Sequence, residues 1–592
     1  MRKMLLGMAF LFLALPALAQ QQTRNTNVIL YVADGLRAGM VTEENAPTMT
    51  ELMQRGVRFT NPHSLFPTFT TANASAMATG HYLGDTGDFS NNIHVDFKVQ
   101  GAQQSPVAPV ENNDVLGELD KHYGGNYLNE ETILKLARDA GYSTAAMGKL
   151  GPTLIFDHTE RSGTRTVIVD DATGHKSGIP LSDEVKQRLT AAQIPLEAPR
   201  AKVVNKDQQM WLTDVATKAL VPMFKQRGKP FLLVFWSGDP DVSQHGQKDG
   251  SERLVPGING PSSLAAIRNA DDTLARLLAA LKEQGLDGTT DVILTSDHGF
   301  STISKESATS YAATQTYKDV TPGLLPSGFV AIDLAYDLGL KLYDPNDNNA
   351  PLGPGRIQSK PGALLGDDPE KPQAIVVGNG GSDLIYLPNK DKAFAAKIVA
   401  ALSRQDYTSG VFVDDTLGRI PGTLPLSAIG LQGSSVTPRP AIVVNFRSFS
   451  TGCPDPTTCG VEIADTALKQ GQGMHGSFSR ADTRNTMGAA GPSFRQKFES
   501  TAPASNADLG KTIVHLMGLK AQDKGKLAGR VLTEALPDGG TMPMVQSNVL
   551  HSEPDALGNV TILVTKRADQ VVYFDAAGYP GRTLGLPHDM AH

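Results

Sequence analysis

The chain of 592 residues is 40% hydrophobic and carries 54 basic against 61 acidic side chains, a formal net charge of −7 with no long block of either sign. That length and core content exclude a disordered or fibrous protein, and the charge balance disfavours nucleic acid as a standing partner. With 58 Gly and 37 Pro the chain is loop-rich, which suits an α/β enzyme whose working residues sit between sheet and helices.

Residues 1–19 have a short basic start, an apolar run and a closing Ala17-x-Ala19. This is the pattern of a cleavable secretory signal, with Gln20 as the first mature residue, and the run is too short to span a bilayer. The expectation is a periplasmic or secreted protein with no membrane anchor after cleavage. Residues 27–33 are almost wholly apolar, the look of a buried parallel strand, and stop at Asp34-Gly35. A carboxylate at the C-terminal end of such a strand is a site candidate, a turn-forming Asp-Gly being the alternative. A helix over 46–56 and a strand over 57–60 follow.

Residues 66–80 read Phe-Pro-Thr-Phe-Thr-Thr-Ala-Asn-Ala-Ser-Ala-Met-Ala-Thr-Gly. Small residues from Ala72 to Ala78 suit a tightly packed helix, and Gly80 suits its C-terminal stop. A threonine at the start of such a helix lies where backbone N–H groups attract an anion, yet its hydroxyl needs a base or a metal to become a nucleophile. The plainer alternative is a helix N-cap.

Residues 81–130 read as polar and irregular. A helix over 131–139 and a strand over 142–147 then deliver Lys149. A helix over 206–226 leads to a buried strand over 230–236, which ends in the polar cluster from Ser237 to His245; a helix over 262–284 leads to a strand over 291–295, which ends in Ser296-Asp297-His298-Gly299. This alternation predicts an α/β fold, a doubly wound, mainly parallel central sheet with helices on both faces. The less regular residues 301–439 are expected to form an inserted or capping region around a helix at 390–402. The catalytic domain then comprises 20–300 and 440–545, with a strand over 441–446, a loop at 473–476 and a helix over 506–517. Two β-like runs, 560–564 and 570–574, suggest a hairpin in a C-terminal β tail, 546–592. Cys453 and Cys459, the only cysteines, are expected to pair as a small disulfide, since two thiolates with no nearby histidine make a poor zinc set.

Collected, the strand-end groups are Asp34, Asp241, His245, Asp297, His298 and His475, with Thr70 as a further oxygen. Each alone has an ordinary reading as a turn or surface residue. Together they amount to two metal sites of the carboxylate–imidazole kind that zinc prefers.

The set resembles the alkaline phosphatase superfamily, and within it the type I phosphodiesterase/nucleotide pyrophosphatase branch. The resemblance rests on Asp34-Gly35-Leu36-Arg37 after a strand, Pro67-Thr68-Phe69-Thr70-Thr71-Ala72-Asn73, Asp239-Pro240-Asp241 with His245, Thr295-Ser296-Asp297-His298-Gly299 and Gly473-Met474-His475-Gly476, in that order. It implies two zinc ions per chain, one on Asp241, His245 and His475, the other on Asp34, Thr70, Asp297 and His298. It also implies attack by Thr70 through a covalent phosphothreonine, with Asn91 holding a phosphoryl oxygen and Asn92 as the neighbouring alternative. Thr86 and Ala72 stand where the branch has His and Pro. In Lys149-Leu150-Gly151-Pro152 the lysine of a Lys-x-Arg, with which some superfamily monoesterases bind phosphate, stands without the arginine. Lys149 is therefore a candidate for binding substrate charge. The function expected is hydrolysis of a small phosphoester, leaning to phosphodiesters or nucleotide pyrophosphates, with a zinc phosphomonoesterase as the alternative and a non-catalytic binding protein as the third reading. No protein partner is expected.

Overall fold

The computed structural model describes residues 26–588; the signal segment and its cleavage at Gln20 lie outside the described residues. The first apolar run forms the strand Asn27–Ala33, every residue buried. It lies between Phe231–Ser237 and Thr290–Thr295 and is parallel to both, with Val28 opposite Leu232 and Asp291. The reason this run is apolar throughout is that each face of the sheet is covered. Val28, Leu30 and Val32 share a core with Ala72 and Met77 of the helix Thr70–Thr79. Ile29, Tyr31 and Ala33 pack on the other side with Ile267 and Leu274 of the helix Pro261–Glu283. Successive strand residues point to opposite faces, so both layers must be apolar, and each large side chain so buried contributes about 1.5–3 kcal/mol.

The sheet has eight strands in the order Phe498–Ser500, Val57–Phe59, Met487–Ala490, Thr290–Thr295, Asn27–Ala33, Phe231–Ser237, Ser143–Gly148 and Thr166–Asp170. Met487–Ala490 runs antiparallel to both its neighbours, and the other pairings are parallel. This is the mixed α/β, mainly parallel sheet expected from the alternation of strands and helices.

Where the sequence looked irregular the structure is regular but short-ranged. Residues 81–130 hold a hairpin of Asn92–Val99 with Ser105–Pro109 and the helix Asn113–His122, capped by the Asn112 side chain. Residues 301–439 supply most of a second eight-stranded sheet, largely antiparallel, whose strands are three to six residues long. Strands that short carry too few alternations to show in the sequence. One face of this sheet, with Leu364, Val377 and Phe412, joins the core that contains the helix Thr70–Thr79. The other, with Leu365, Val376 and Val411, packs on the helices Phe329–Leu338 and Lys392–Ser403. The strand Ile442–Phe446 pairs with Ser382–Tyr386 and Thr408–Val413, and so lies in this second sheet rather than the central one.

Smaller differences have local causes. The helix expected over 206–226 is broken by a π-helical stretch, Val215–Leu220, and Gly473–Met474 is a short strand beside Ser301–Ser304 rather than loop. The C-terminal hairpin of Ile562–Ala568 and Val571–Gly578 gains a third strand, Val545–His551, exposed along its length. Cys453 and Cys459 form a disulfide with 6.2 Å between Cα atoms. Among the described residues no helix is long and apolar enough to cross a membrane.

Candidate metal centre

Three connections at one edge of the central sheet, and a loop from a small neighbouring sheet, bring the candidate residues together. Asp34 follows its strand directly and is fixed by main-chain bonds on both sides: its N–H donates to Ser237 O (3.1 Å), and its carbonyl accepts from Asp241 N (3.0 Å). The turn needs Gly35, whose φ is +67° and where a Cβ would lie 2.7 Å from the Phe300 ring. Asp241 and His245 sit one turn apart on the short helix Asp241–Gly246, which puts both on one face. Asp297 and His298 follow Thr290–Thr295, and His475 follows Gly473–Met474.

Thr70 is the first residue of its helix. The cap position is Phe69, whose side chain cannot cap, and the N–H of Thr71 is satisfied from outside by Asn91 Oδ1 at 3.0 Å. The Thr70 hydroxyl therefore has no capping task; it lies buried, 3.3 Å from His298 Nε2. Asn73 secures the approach by accepting from Leu65 N and donating to the carbonyls of Leu65 and Phe69. Asn506 ties Asn73 to the carbonyl of Asp297.

Two groups emerge, Asp241, His245 and His475, and Asp34, Asp297 and His298; within each the ligand atoms lie within 4.8 Å of one another. Every histidine in them has Nδ1 at 2.8 Å from a main-chain carbonyl: His245 on Gly473, His298 on Gly299 and His475 on Thr68. A carbonyl only accepts, so Nδ1 carries the proton and Nε2 faces the site as a ligand atom. The carboxylates divide in the same way. Asp34 Oδ2 accepts from Trp236 Nε1 (2.7 Å) and Asp297 Oδ1 from Gly35 N (3.0 Å). Asp34 Oδ1, Asp241 Oδ1 and Asp297 Oδ2 are buried and accept no hydrogen bond. They lie 3.1–3.6 Å from the histidine Nε2 atoms. Orphaned carboxylate oxygens are costly to bury without a cation. The residues present thus fit a pair of divalent ions.

The electrostatics agree. Burial, with Asp241 and Asp297 adding like charge, pushes the Asp34 carboxyl well above its ordinary value. Burial works against a charge on His298, but Asp297 and Asp34 outweigh it and lift its pKa to about 9. Lys149 is the one ammonium here among the described residues, 2.7 Å from Asp241 Oδ2, 3.0 Å from Asp34 Oδ2 and 3.4 Å from Thr70 Oγ1. Burial opposes its charge, and Asp241, Asp34 and Glu111 overcome this and hold it well above the usual lysine value. It touches the ligand carboxylates at the oxygens that face away from the histidines.

The two asparagines separate. Asn91 faces the helix Thr70–Thr79, whereas both the N–H and the carboxamide of Asn92 turn to Asn379 Oδ1. Two supporting acids, Asp88 and Glu111, were not among the residues the sequence singled out. Asp88 accepts from Thr71 Oγ1 (3.1 Å) and from the Tyr127 hydroxyl (2.6 Å), and burial raises its pKa to about 7. Glu111 lies 3.4 Å from Lys149. Asn73, by contrast, was already visible as the last residue of the quoted Thr70 stretch.

A third acid–histidine group, His81, Glu130 and Asp523, has the same residue types. Here Lys511 Nζ sits between Asp523 (2.6 Å) and His81 Nε2 (3.0 Å), and Glu130 accepts from the N–H groups of Lys524 and Gly525. None of its oxygens is both buried and without a hydrogen bond.

A mixed α/β sheet here gathers two acid–histidine groups that could each hold a metal ion beside a helix-borne threonine. The family model described as type I phosphodiesterase / nucleotide pyrophosphatase matches residues 28–349, more than half of the chain, and the chain belongs to that family of phosphoric ester hydrolases. No curated protein matches. Similar solved structures include human ectonucleotide pyrophosphatase / phosphodiesterase 5, at 16% identity and a TM-score of 0.46, covering 84% of this chain and 96% of that one. An inactive variant of the murine counterpart, in complex with AMP, gives 16% identity, a TM-score of 0.47 and the same coverage.

Proposed function

We propose that the protein is an exported two-zinc phosphoester hydrolase that works through a phosphothreonine on Thr70 and leans to phosphodiesters or nucleotide pyrophosphates. The observation that carries this reading is the convergence of three orphaned, buried carboxylate oxygens with three histidine Nε2 atoms beside the Thr70 hydroxyl. One ion would be held by Asp241, His245 and His475, the other by Asp34, Asp297 and His298 with Thr70; when bound, such ions supply the positive charge that acidifies a hydroxyl and offsets charge on a phosphoryl group.

The chain's own groups do the rest. At the start of the helix Thr70–Thr79 the Thr71 N–H is taken by Asn91 and the Asn73 N–H by Phe69, and the N–H groups left would be the donors offered to phosphoryl oxygens. Asn91 has its carbonyl oxygen engaged by Thr71 N–H, which leaves the carboxamide NH2 to donate to a phosphoryl oxygen. Thr70 attacks phosphorus, the leaving group departs in line, and water then hydrolyses the phosphothreonine. A zinc phosphomonoesterase is the second reading, favoured by Lys149 at 3.4 Å from Thr70 Oγ1, within reach of a terminal phosphoryl group. Export is supported by the signal-like residues 1–19 and by the disulfide.

The test compares p-nitrophenyl phosphate, bis-p-nitrophenyl phosphate and a dinucleotide on purified protein with zinc. The diester and the dinucleotide should turn over with the higher kcat/KM. Hydrolysis of none of the three overturns the proposal, and a preference for the monoester selects the second reading.

A further inference from the structure

Glu111 is a carboxylate that neither metal group requires. It follows the strand Ser105–Pro109, where Val110 N–H donates to the Asn91 carbonyl at 2.8 Å and so holds this segment beside the phosphoryl-binding asparagine. Glu111 Oε1 lies 3.4 Å from Lys149 Nζ and accepts no hydrogen bond although that atom is buried, while 32% of the side chain remains exposed. The other two carboxylates on Lys149, Asp34 and Asp241, belong to the ligand groups and have their remaining oxygens aimed at the histidines. Glu111 belongs to neither group, so its charge is answered by Lys149 alone.

Backbone geometry adds a second restriction. Gly151, two residues after Lys149, has φ of +92°, and a Cβ there would lie 2.8 Å from Glu111 Cα. A cationic side chain at 151 could not share this space with Glu111 in its present place.

Resting on the reading of this site as a phosphoester hydrolase, we propose that Glu111 determines specificity: it neutralises Lys149 on the substrate side and turns the site from phosphomonoester dianions toward phosphodiester monoanions. A monoester carries close to two negative charges at neutral pH and a diester one. An ammonium paired with a carboxylate offers little net field to the extra charge, and Glu111 adds direct repulsion of it. Because Glu111 is partly exposed, solvent screens the effect to a moderate size.

The experiment is Glu111→Gln, which keeps the shape and removes the charge. On zinc-loaded protein, kcat/KM for p-nitrophenyl phosphate should rise about 10-fold relative to bis-p-nitrophenyl phosphate, or ~1.4 kcal/mol. Calorimetry at about pH 8 should show orthophosphate binding tighter by a similar factor, with dimethyl phosphate changed less. In the double variant Glu111→Gln, Lys149→Ala, both gains should vanish. Equal changes on the two esters, or an unaltered orthophosphate affinity, overturn the proposal. Should the unmodified protein hydrolyse neither ester, the hydrolase reading fails separately, and the orthophosphate-to-dimethyl phosphate ratio still decides whether Glu111 selects by charge.

Discussion

The paired groups beneath Thr70 and the group around His81 are built from the same residue types at similar spacing, and they do opposite things. Around His81 a lysine takes the central position, Glu130 is satisfied by main-chain N–H groups and Asp523 by Lys511. Beneath Thr70 each aspartate has one oxygen tied to the protein and another left bare. What separates an ion-pair cluster from a metal centre is therefore which atoms are left over, and composition alone does not show it.

The sharpest way to break this contrast is at the nucleophile. Thr70→Ala should lower turnover on the order of 10³-fold or more with the fold retained, while His81→Ala leaves kcat within about twofold, as expected away from the chemistry. Steady-state assays on both variants check this; an active Thr70→Ala would erase the distinction. Elemental analysis should next find two divalent ions per chain in the unmodified protein, one after His475→Ala and two after His81→Ala, since three protein ligands are needed for a tight catalytic ion. Asn91→Ala should cost about 10²-fold in kcat/KM by removing a donor to the phosphoryl oxygen. Asn92→Ala, whose side chain faces Asn379, should cost far less, and kcat/KM for the pair measures the difference.

The smallest effect belongs to the saturated group. Hydrogen bonds from Lys511 and His81 overcome burial and hold the Asp523 carboxyl below its ordinary value. Its contribution is then present above the unfolded-state pKa and lost as pH falls through the folded one. With its side chain 45% exposed, Asp523→Asn should lower stability by about 0.5 kcal/mol near neutral pH. Thermal melts of the two proteins should differ near neutral pH and converge only as pH falls below the ordinary aspartate value, with the two proteins equal in metal content at neutral pH.

Several of the candidate ligands were legible because they stand where a continuous apolar run stops: Asp34 after residues 27–33, Asp297 and His298 after 290–295. Thr70 was legible from the small residues that follow it, which permit a helix with all ten positions buried. Asn91 could not be told from Asn92, because their difference lies in where two adjacent carboxamides point. Glu111 and Asp88 were hidden in a stretch whose hairpin mixes buried and exposed positions without a clean period. The second sheet was hidden by the shortness of its strands. Ile442–Phe446 looks like any buried strand, and nothing local states which sheet it joins.

Asp34 follows the first described strand, and His475 comes from a segment near the other end of the chain, docked on the second sheet through the Gly381 N–H to the His475 carbonyl at 3.0 Å. A centre drawn from such distant segments has consequences for timing. Contacts between far-separated stretches form late, because the chain between them must be ordered first. A complete three-residue group for a cation would accordingly be assembled only once both sheets have closed on one another. The rate at which added ions restore activity to a refolding chain should accordingly report the last step of assembly, and the compartment in which the chain completes that step is the one whose metal it acquires.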